Sequence, residues 1–431
     1  MSPELVGLIG LLAVVLLLLF KFWLGAAFIL VGFIGYGYLV DWNTVLNMIG
    51  IETFSSIARY HITVIPMFIL MGTVASHTGI AGDLFDTAYK WIGRLRGGVA
   101  MAAVASCGMF AAVSGSSVAT AVTMGKVAIP EMKKYNYDMQ LASGSVAAGG
   151  TLGILIPPSM GFILYGIFTE TSIGKLFMAG IIPGVLEVVF YIVTILFLCT
   201  VRPSMGPAGP STPWKQKIIS LKNTWAMIVL FLLVMGGIYM GIFTPTEAGA
   251  IGAFGAVVIT LIGRRLNMSN FRRSIIEAAQ TTGMIGLLLV GAFIFNRFMT
   301  ISGLPFLLGE VVAGLGLPPI QILIFLIILY ILLGCIMDPF AAIVITIPII
   351  FPLVLAMGFN PIWYGVIMVR MLEIGAITPP MGLNVFVISA ASDVPIGTVF
   401  RGIVPFLIAD FLHVALLVAV PSISLFLPNM M

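Results

Sequence analysis

Apolar runs long enough to cross a bilayer recur from one end of this chain to the other; "LVGLIGLLAVVLLLLF" near its start and "WAMIVLFLLVMGGIYMGIF" in its middle are two of them. A helix rises about 1.5 Å per residue and a hydrocarbon core is about 30 Å thick, so roughly 20 apolar residues make one crossing. Of the 431 residues, 60% are hydrophobic and 8% charged, too few polar side chains to coat a water-exposed surface. The pattern specifies an all-α polytopic membrane protein, with a single membrane domain and no soluble one. The net charge of +4 sits in loops between apolar runs, where it marks orientation, not a nucleic-acid partner. Before the first run stands Glu4 and no basic residue, unlike a secretory signal, so the first helix is expected to be retained. Cys107, Cys199 and Cys335 lie in apolar surroundings without metal-ligand spacing and read as buried thiols.

Basic loops fix the direction of each crossing. Helices expected at about 5–20, 24–40 and 61–78 are followed by Lys90, Arg94 and Arg96, which places that end in the cytoplasm and the N-terminus outside. The segment from Asp41 to Tyr60 is expected to form an amphipathic helix along the outer interface. Two short arms then meet at "VSGSSVAT" and end at Lys133 and Lys134, so both ends of the pair face the cytoplasm. An arm of about 15 residues spans only ~22 Å, short of a full crossing, and the pair reads as a re-entrant hairpin with its tip at residues 114–117. Non-helical backbone at that depth is tolerated only beside protein or a water-filled cavity, which implies a cavity. Five further helices are expected at about 140–168, 176–200, 225–243, 247–262 and 276–300. From Phe298 to Val369 there is no lysine or arginine, yet two arms at about 319–334 and 340–357 meet at "GCIMDPF", a second hairpin entering from outside. Helices at about 362–391 and 399–427 complete the chain.

A shift of 222 positions carries Pro130, Gly153, Pro157, Pro158, Gly180 and Pro183 onto Pro352, Gly375, Pro379, Pro380, Gly402 and Pro405. The same shift carries Ser116 at the first tip onto Asp338 at the second. Five crossings separate the hairpins, so the halves are inverted. Inverted repeats with broken helices are an architecture of secondary transporters, which hold substrate and coupling ions where the breaks meet. Proline removes a donor and frees carbonyls, and neighbouring glycines let an ion approach them. "ILIPPS" and "AITPPM" thus read as two related cation sites.

Three stretches, "SGSSVATAVTMGKVAIPEM", "GILIPPSMGFILYG" followed by "TSIGKLFMAGIIPG", and "GAITPPMGLNVFVIS", resemble the large membrane subunit of TRAP transporters, the tripartite ATP-independent periplasmic carriers. The resemblance covers nearly the whole chain. It implies an elevator-type, sodium-coupled importer of small organic anions in the bacterial inner membrane. It also implies a small four-helix membrane subunit, here a separate polypeptide, and a periplasmic binding protein that delivers the substrate. Segments 1–97 and 201–318 would be scaffold helices and arms, and 98–200 and 319–431 the two transport repeats. Carried over by motif, one Na⁺ site would use Ser114, Ser116, Gly153, Ile156 and Pro157. The other would use Gly334, Gly375, Thr378 and Met381, mostly through backbone oxygen, a donor set that suits a hard cation. Ser114, Ser116, Ser117, Arg297 and Asp338 are the candidates for substrate binding. Sialic acid, C4-dicarboxylates, other carboxylates and sulfonates all fit this reading.

The ionisable residues at membrane depth leave alternatives. Asp338 is either an ion ligand or gate, or the N-cap of the arm "DPFAAIV", or both. Arg297 and Arg370 flank the second hairpin and could grip a carboxylate or sulfonate, but Arg370 has Glu373 three residues on and is expected to pair with it. Glu187, Asp410 and His413 could pair with neighbouring helices or line a water path. "TPTEAGA" around Glu247 reads as a helix cap. The scattered histidines provide no metal or nucleophile set, which argues against an intramembrane enzyme. The rival transport reading is a single-component sodium or proton dicarboxylate symporter.

Overall fold

The computed structural model describes residues 1–431, with the side chains of Asn223 and Ala313 excepted. The described residues form helices and no strands. Among the described residues eight helical spans, the two arms of the second hairpin included, are by length and composition apolar enough to cross a membrane. In chain order, α1 (Pro3–Leu19), α2 (Leu24–Leu39) and α3 (Trp42–Ile57) come first. Asp41 caps α3, accepting from Asn43 N (2.8 Å) and Thr44 N (2.9 Å), and the Thr44 hydroxyl and amide hold this exposed carboxyl below the usual carboxylate range. Helix α4 (Val64–His77) is followed by α5 (Ile80–Ile92), an amphipathic arm outside the helices expected from the apolar runs.

The first hairpin is α6 (Gly98–Ser114) and α7 (Ser117–Lys134). Its arms are 17 and 18 residues, about 26 and 27 Å long and longer than the sequence suggests, and they turn back on each other at residues 115–116. The turn between them depends on Gly115, whose φ of 60° is the left-handed region that glycine enters freely. Next come α8 (Met139–Leu155) and α9 (Met160–Thr169), which are one span broken at 156–159, and α10 (Ile173–Val201).

Helix α11 (Trp214–Tyr239) begins well before the expected start at 225, so Lys215, Lys217 and Lys222 lie on a helix and not in a loop. Aromatic Trp91 and Trp214 meet edge to face there, and the Lys217 ammonium lies over Trp214, which gives the basic segment a packed surface to fold on. Helix α12 (Pro245–Ile262) opens with the expected capping box, Glu247 N donating to Thr244 Oγ1 and Thr244 N to Glu247 Oε2. Helices α13 (Met268–Ser302) and α14 (Leu304–Gly314) follow, and α14 too lies outside the expected helices.

The second hairpin is α15 (Pro319–Ile336) and α16 (Pro339–Ala356). Helices α17 (Pro361–Gly375) and α18 (Leu383–Ser392) are the second broken span, and α19 (Ile396–Ala419) the last long helix. The spans between the hairpins are five: α8 with α9, then α10, α11, α12 and α13. The hairpins accordingly enter from opposite ends.

One end of the molecule gathers the basic residues. Gly97 N donates to Gly206 O (2.8 Å), Gly209 N to Gly93 O (2.9 Å) and Asp138 N to Met205 O (3.0 Å), so residues 202–213 strap together the ends of α5, α6, α7 and α8. Tyr137 adds a hydroxyl bond to Pro207 O (2.9 Å), and burial pushes its phenol up to about 12. Arg265 reaches Asp83 on α5 at the same end. Arg94, Arg96, Arg202 and Arg264 lie on these segments.

The core is in two parts. A smaller cluster joins α1, α2 and α13 through Val14, Phe28, Val31, Phe295 and Phe298. Helices α2 and α13 approach backbone to backbone, since a Cβ on Gly291 would fall 2.2 Å from Gly25 O. The larger cluster holds both hairpins, both broken spans, α10 and α19, and packs them against α4, α5, α11, α12 and part of α13. Cys107, Cys199 and Cys335 are buried, free thiols.

Candidate functional site

The two breaks are built on one plan. In the first, Pro157 and Pro158 have no N–H, so Gly153 and Ile154 lose the donors that would have continued α8. Ser159 takes one of the freed carbonyls, its hydroxyl donating to Ile154 O, and it caps α9 by accepting from Phe162 N (3.3 Å). In the second, Thr378 N donates to Gly375 O (3.0 Å), Asn384 N to Ala376 O (3.0 Å) and the Thr378 hydroxyl to Ile374 O (2.6 Å). Both proline pairs are joined by cis peptide bonds.

Each break is pressed against a hairpin. A Cβ on Gly153 would lie 2.4 Å from Ser116 O, and one on Gly375 would lie 2.5 Å from Ile331 O. Gly334 completes the second contact, because its Cβ would meet Leu372 O at 2.6 Å. Only glycine permits these approaches. The first tip is tied further: Met160 N donates to Gly115 O (3.3 Å), Ser114 and Thr120 share a hydroxyl bond (2.8 Å), and Ser116 caps α7 by accepting from Ala119 N (3.3 Å). At the second tip Asp338 caps α16, accepting from Phe340 N (2.9 Å).

A cavity of about 690 Å³ runs from these tips toward the basic end. Ser114, Ser116, Met160 and Phe340 line its inner end, which brings residues of both hairpins and of the first break together. Its far wall is α4 and α13, bridged by His77 Nε2 and Glu277 Oε2 at 2.7 Å.

Of the candidates named from sequence, Ser114 and Ser116 line this cavity. Ser117 is buried behind the tip, where its Cα would lie 2.7 Å from a Cβ on Gly153. Arg297 is not brought to the cavity: its Nε donates to Glu52 Oε1 on α3 at 2.5 Å, and the side chain is 62% exposed. A carboxylate already occupies the group expected to grip one. Gly153, Ile156 and Pro157 gather at the first tip, with Ile156 folded over Gly184 of α10. Gly334 and Gly375 pack on each other; Thr378 is half-buried and Met381 is exposed. The donor chemistry at both breaks fits a hard monovalent cation, because the Gly153 carbonyl lacks its helical donor and a Thr378 hydroxyl that donates to Ile374 keeps its lone pairs.

Behind the breaks lies a polar group whose pairing differs from the one expected from local spacing. Arg370, fully buried, does not pair with Glu373. Its Nη2 donates to Asp410 Oδ1 (2.5 Å) on α19 and forms an ion pair with Glu187 Oε1 (2.8 Å) on α10, and its Nε donates to His413 Nδ1 (3.3 Å). Thr151 Oγ1 donates to Glu187 Oε1 (3.3 Å) and shares a bond with the Tyr191 hydroxyl (3.1 Å), which adds α8 to the group. Neither oxygen of Glu373 has a hydrogen-bond partner among the described residues. The available signal was depth: single charges in separate apolar helices have to find one another, whatever stands one turn away.

Residues 11–423 match the model of the DctM component of the tripartite ATP-independent periplasmic transporters. The chain belongs to this family. It is a large permease of a tripartite transporter and a multi-pass membrane protein. It is 37% identical over 385 residues to the "C4-dicarboxylate TRAP transporter large permease protein DctM" of Pseudomonas aeruginosa, covering 89% of this chain and 90% of that one. It is also 37% identical over 375 residues to the "Isethionate TRAP transporter permease protein DctMQ" of Oleidesulfovibrio alaskensis, covering 86% of this chain and 59% of that longer one. These relatives are permeases, not enzymes. In fold the chain is similar to the YdaH transporter of Alcanivorax borkumensis, with a TM-score of 0.67, 16% identity and 89% of each chain covered. That likeness concerns the fold alone.

Proposed function

We propose that this DctM-family chain imports small organic anions, carboxylates or sulfonates, by coupling them to Na⁺ held at the two broken helices. The observation that carries the reading is the convergence of both hairpin tips and the first break on one cavity. A substrate seated at Ser114 and Ser116 would touch the hairpin that closes against one cation site. Substrate and ion would then stabilise the same closed arrangement, which is what coupling requires.

Equal identity to a C4-dicarboxylate permease and to an isethionate permease supports the class and leaves the member open. Ser114 and Ser116 can donate to a carboxylate or sulfonate oxygen, with Asp338 capping the opposite tip. Ser114, Ser116, Gly153, Ile156 and Pro157 hold one Na⁺, and Gly334, Gly375, Thr378 and Met381 the other. The basic end lies in the cytoplasm of a bacterial inner membrane and the N-terminus in the periplasm. The two repeats, residues 98–200 and 319–431, move across the membrane in an elevator motion against a scaffold built on residues 1–97 and 201–318. A small membrane subunit completes the scaffold, and a periplasmic binding protein delivers the anion.

The test is reconstitution of the chain with its small subunit in proteoliposomes, with and without the binding protein and Na⁺. Accumulation of succinate or isethionate that needs both supports the reading. Concentrative uptake by this chain alone would instead make it a single-component symporter.

A further inference from the structure

Helix α7 presents one face to the cavity. Ser116, Ala119, Thr123 and Lys126 line it at intervals of three or four residues, the spacing of a single helical face, and they lead from the hairpin tip toward the basic end. Lys126 stands roughly 15 Å from Ser116 along the helix axis. It is exposed to the cavity, and no carboxylate oxygen of the described residues lies within 4.0 Å of its ammonium. The other ionisable residues lining the cavity, His77 and Glu277, are bonded to each other. Lys126 is therefore the one lysine or arginine on these walls, and it is not spent on an ion pair.

The repeat sharpens the point. The shift of 222 positions that relates the two halves places Lys126 on Pro348, and no lysine or arginine occurs from Phe298 to Val369. The hairpin arm that faces the other side of the membrane carries no equivalent charge. A cation on a low-dielectric wall raises the local concentration of anions along it, and here it does so on one route only.

We propose that Lys126, with Thr123 beside it, forms a transient anion subsite on the cytoplasmic route, taking the carboxylate or sulfonate after it leaves the tip serines. This rests on the reading of the cavity as the substrate path. A separation of ~15 Å is too long for one small di-acid to bridge, so the two positions are occupied in succession. Lys126 thus speeds exit to the cytoplasm and does not form part of the site that receives substrate from the binding protein.

The experiment compares wild type, Lys126→Gln, Lys126→Met and Lys126→Arg in proteoliposomes holding the complete three-component system. Copurification of the small subunit checks folding, and the probe is radiolabelled succinate or isethionate, whichever the wild type accumulates. Loss of the ammonium should slow uptake and internal exchange at least fivefold, without moving the half-saturating concentrations of Na⁺ or of loaded binding protein. Lys126→Arg should retain most of the rate. Raising internal KCl from 50 to 500 mM should slow exit in wild type and leave Lys126→Gln unaffected. Unchanged rates in assembled Lys126→Gln and Lys126→Met would overturn the subsite while leaving the transport reading intact. Equal loss in Lys126→Arg, or a shifted Na⁺ requirement, would also overturn it, since either marks a structural role. Absence of Na⁺-dependent uptake by the wild type would overturn both readings.

Discussion

At the scale of single residues, glycines decide whether hairpin and break can meet. Gly153→Ala would push a methyl into the Ser116 carbonyl, and backbone cannot turn aside as a flexible side chain does. An overpacking cost of about 1–3 kcal/mol is expected, seen as a lower thermal midpoint of the purified complex and as lost uptake. Gly50→Ala is the control, because nothing lies within 4 Å of the added carbon and the helix gains propensity. Thr378→Val keeps the shape and deletes the hydroxyl that donates to Ile374 O. If that oxygen ligates Na⁺, half-saturation by Na⁺ should rise tenfold or more, about 1.4 kcal/mol, with subunit assembly intact. An unchanged Na⁺ requirement would make Thr378 a stabiliser of the break alone.

At the scale of elements, the two hairpins enter from opposite ends. Cysteines placed at Lys133 and at Leu317, in a chain lacking Cys107, Cys199 and Cys335, should be labelled by impermeant maleimide from the cytoplasmic and periplasmic faces respectively. Labelling of both from one face contradicts the inverted arrangement. Both hairpins and both breaks were legible in the sequence, because proline and glycine act locally on the backbone and recur at one offset. Helices α5 and α14 were not, since one is amphipathic and the other short, and neither resembles a crossing. The lysine-rich start of α11 is not legible as helix, because its support, Trp91 against Trp214, is a tertiary contact. The partners of Arg370 and Arg297 were illegible for the same reason: Glu187, Asp410 and Glu52 are distant in sequence and arrive by helix packing. Local spacing offered Glu373, and depth overruled it.

For the whole molecule, the proposal that each of the two breaks holds a cation predicts two Na⁺ per anion, with an energetic consequence. Each Na⁺ entering down a tenfold gradient releases about 1.4 kcal/mol, and each net charge moved across 100 mV adds about 2.3 kcal/mol. With a monovalent anion, two Na⁺ carry one net charge inward and about 5 kcal/mol is available, enough for accumulation of several thousandfold. One Na⁺ would be electroneutral and limited to about tenfold. The direct measurement is uptake of a monovalent substrate such as isethionate by the complete complex in proteoliposomes, under an inside-negative potential set with K⁺ and valinomycin. The potential should accelerate uptake and raise the final accumulation well beyond tenfold. Indifference to it would leave one proline pair as a structural kink and contradict the assignment of a cation to each broken helix.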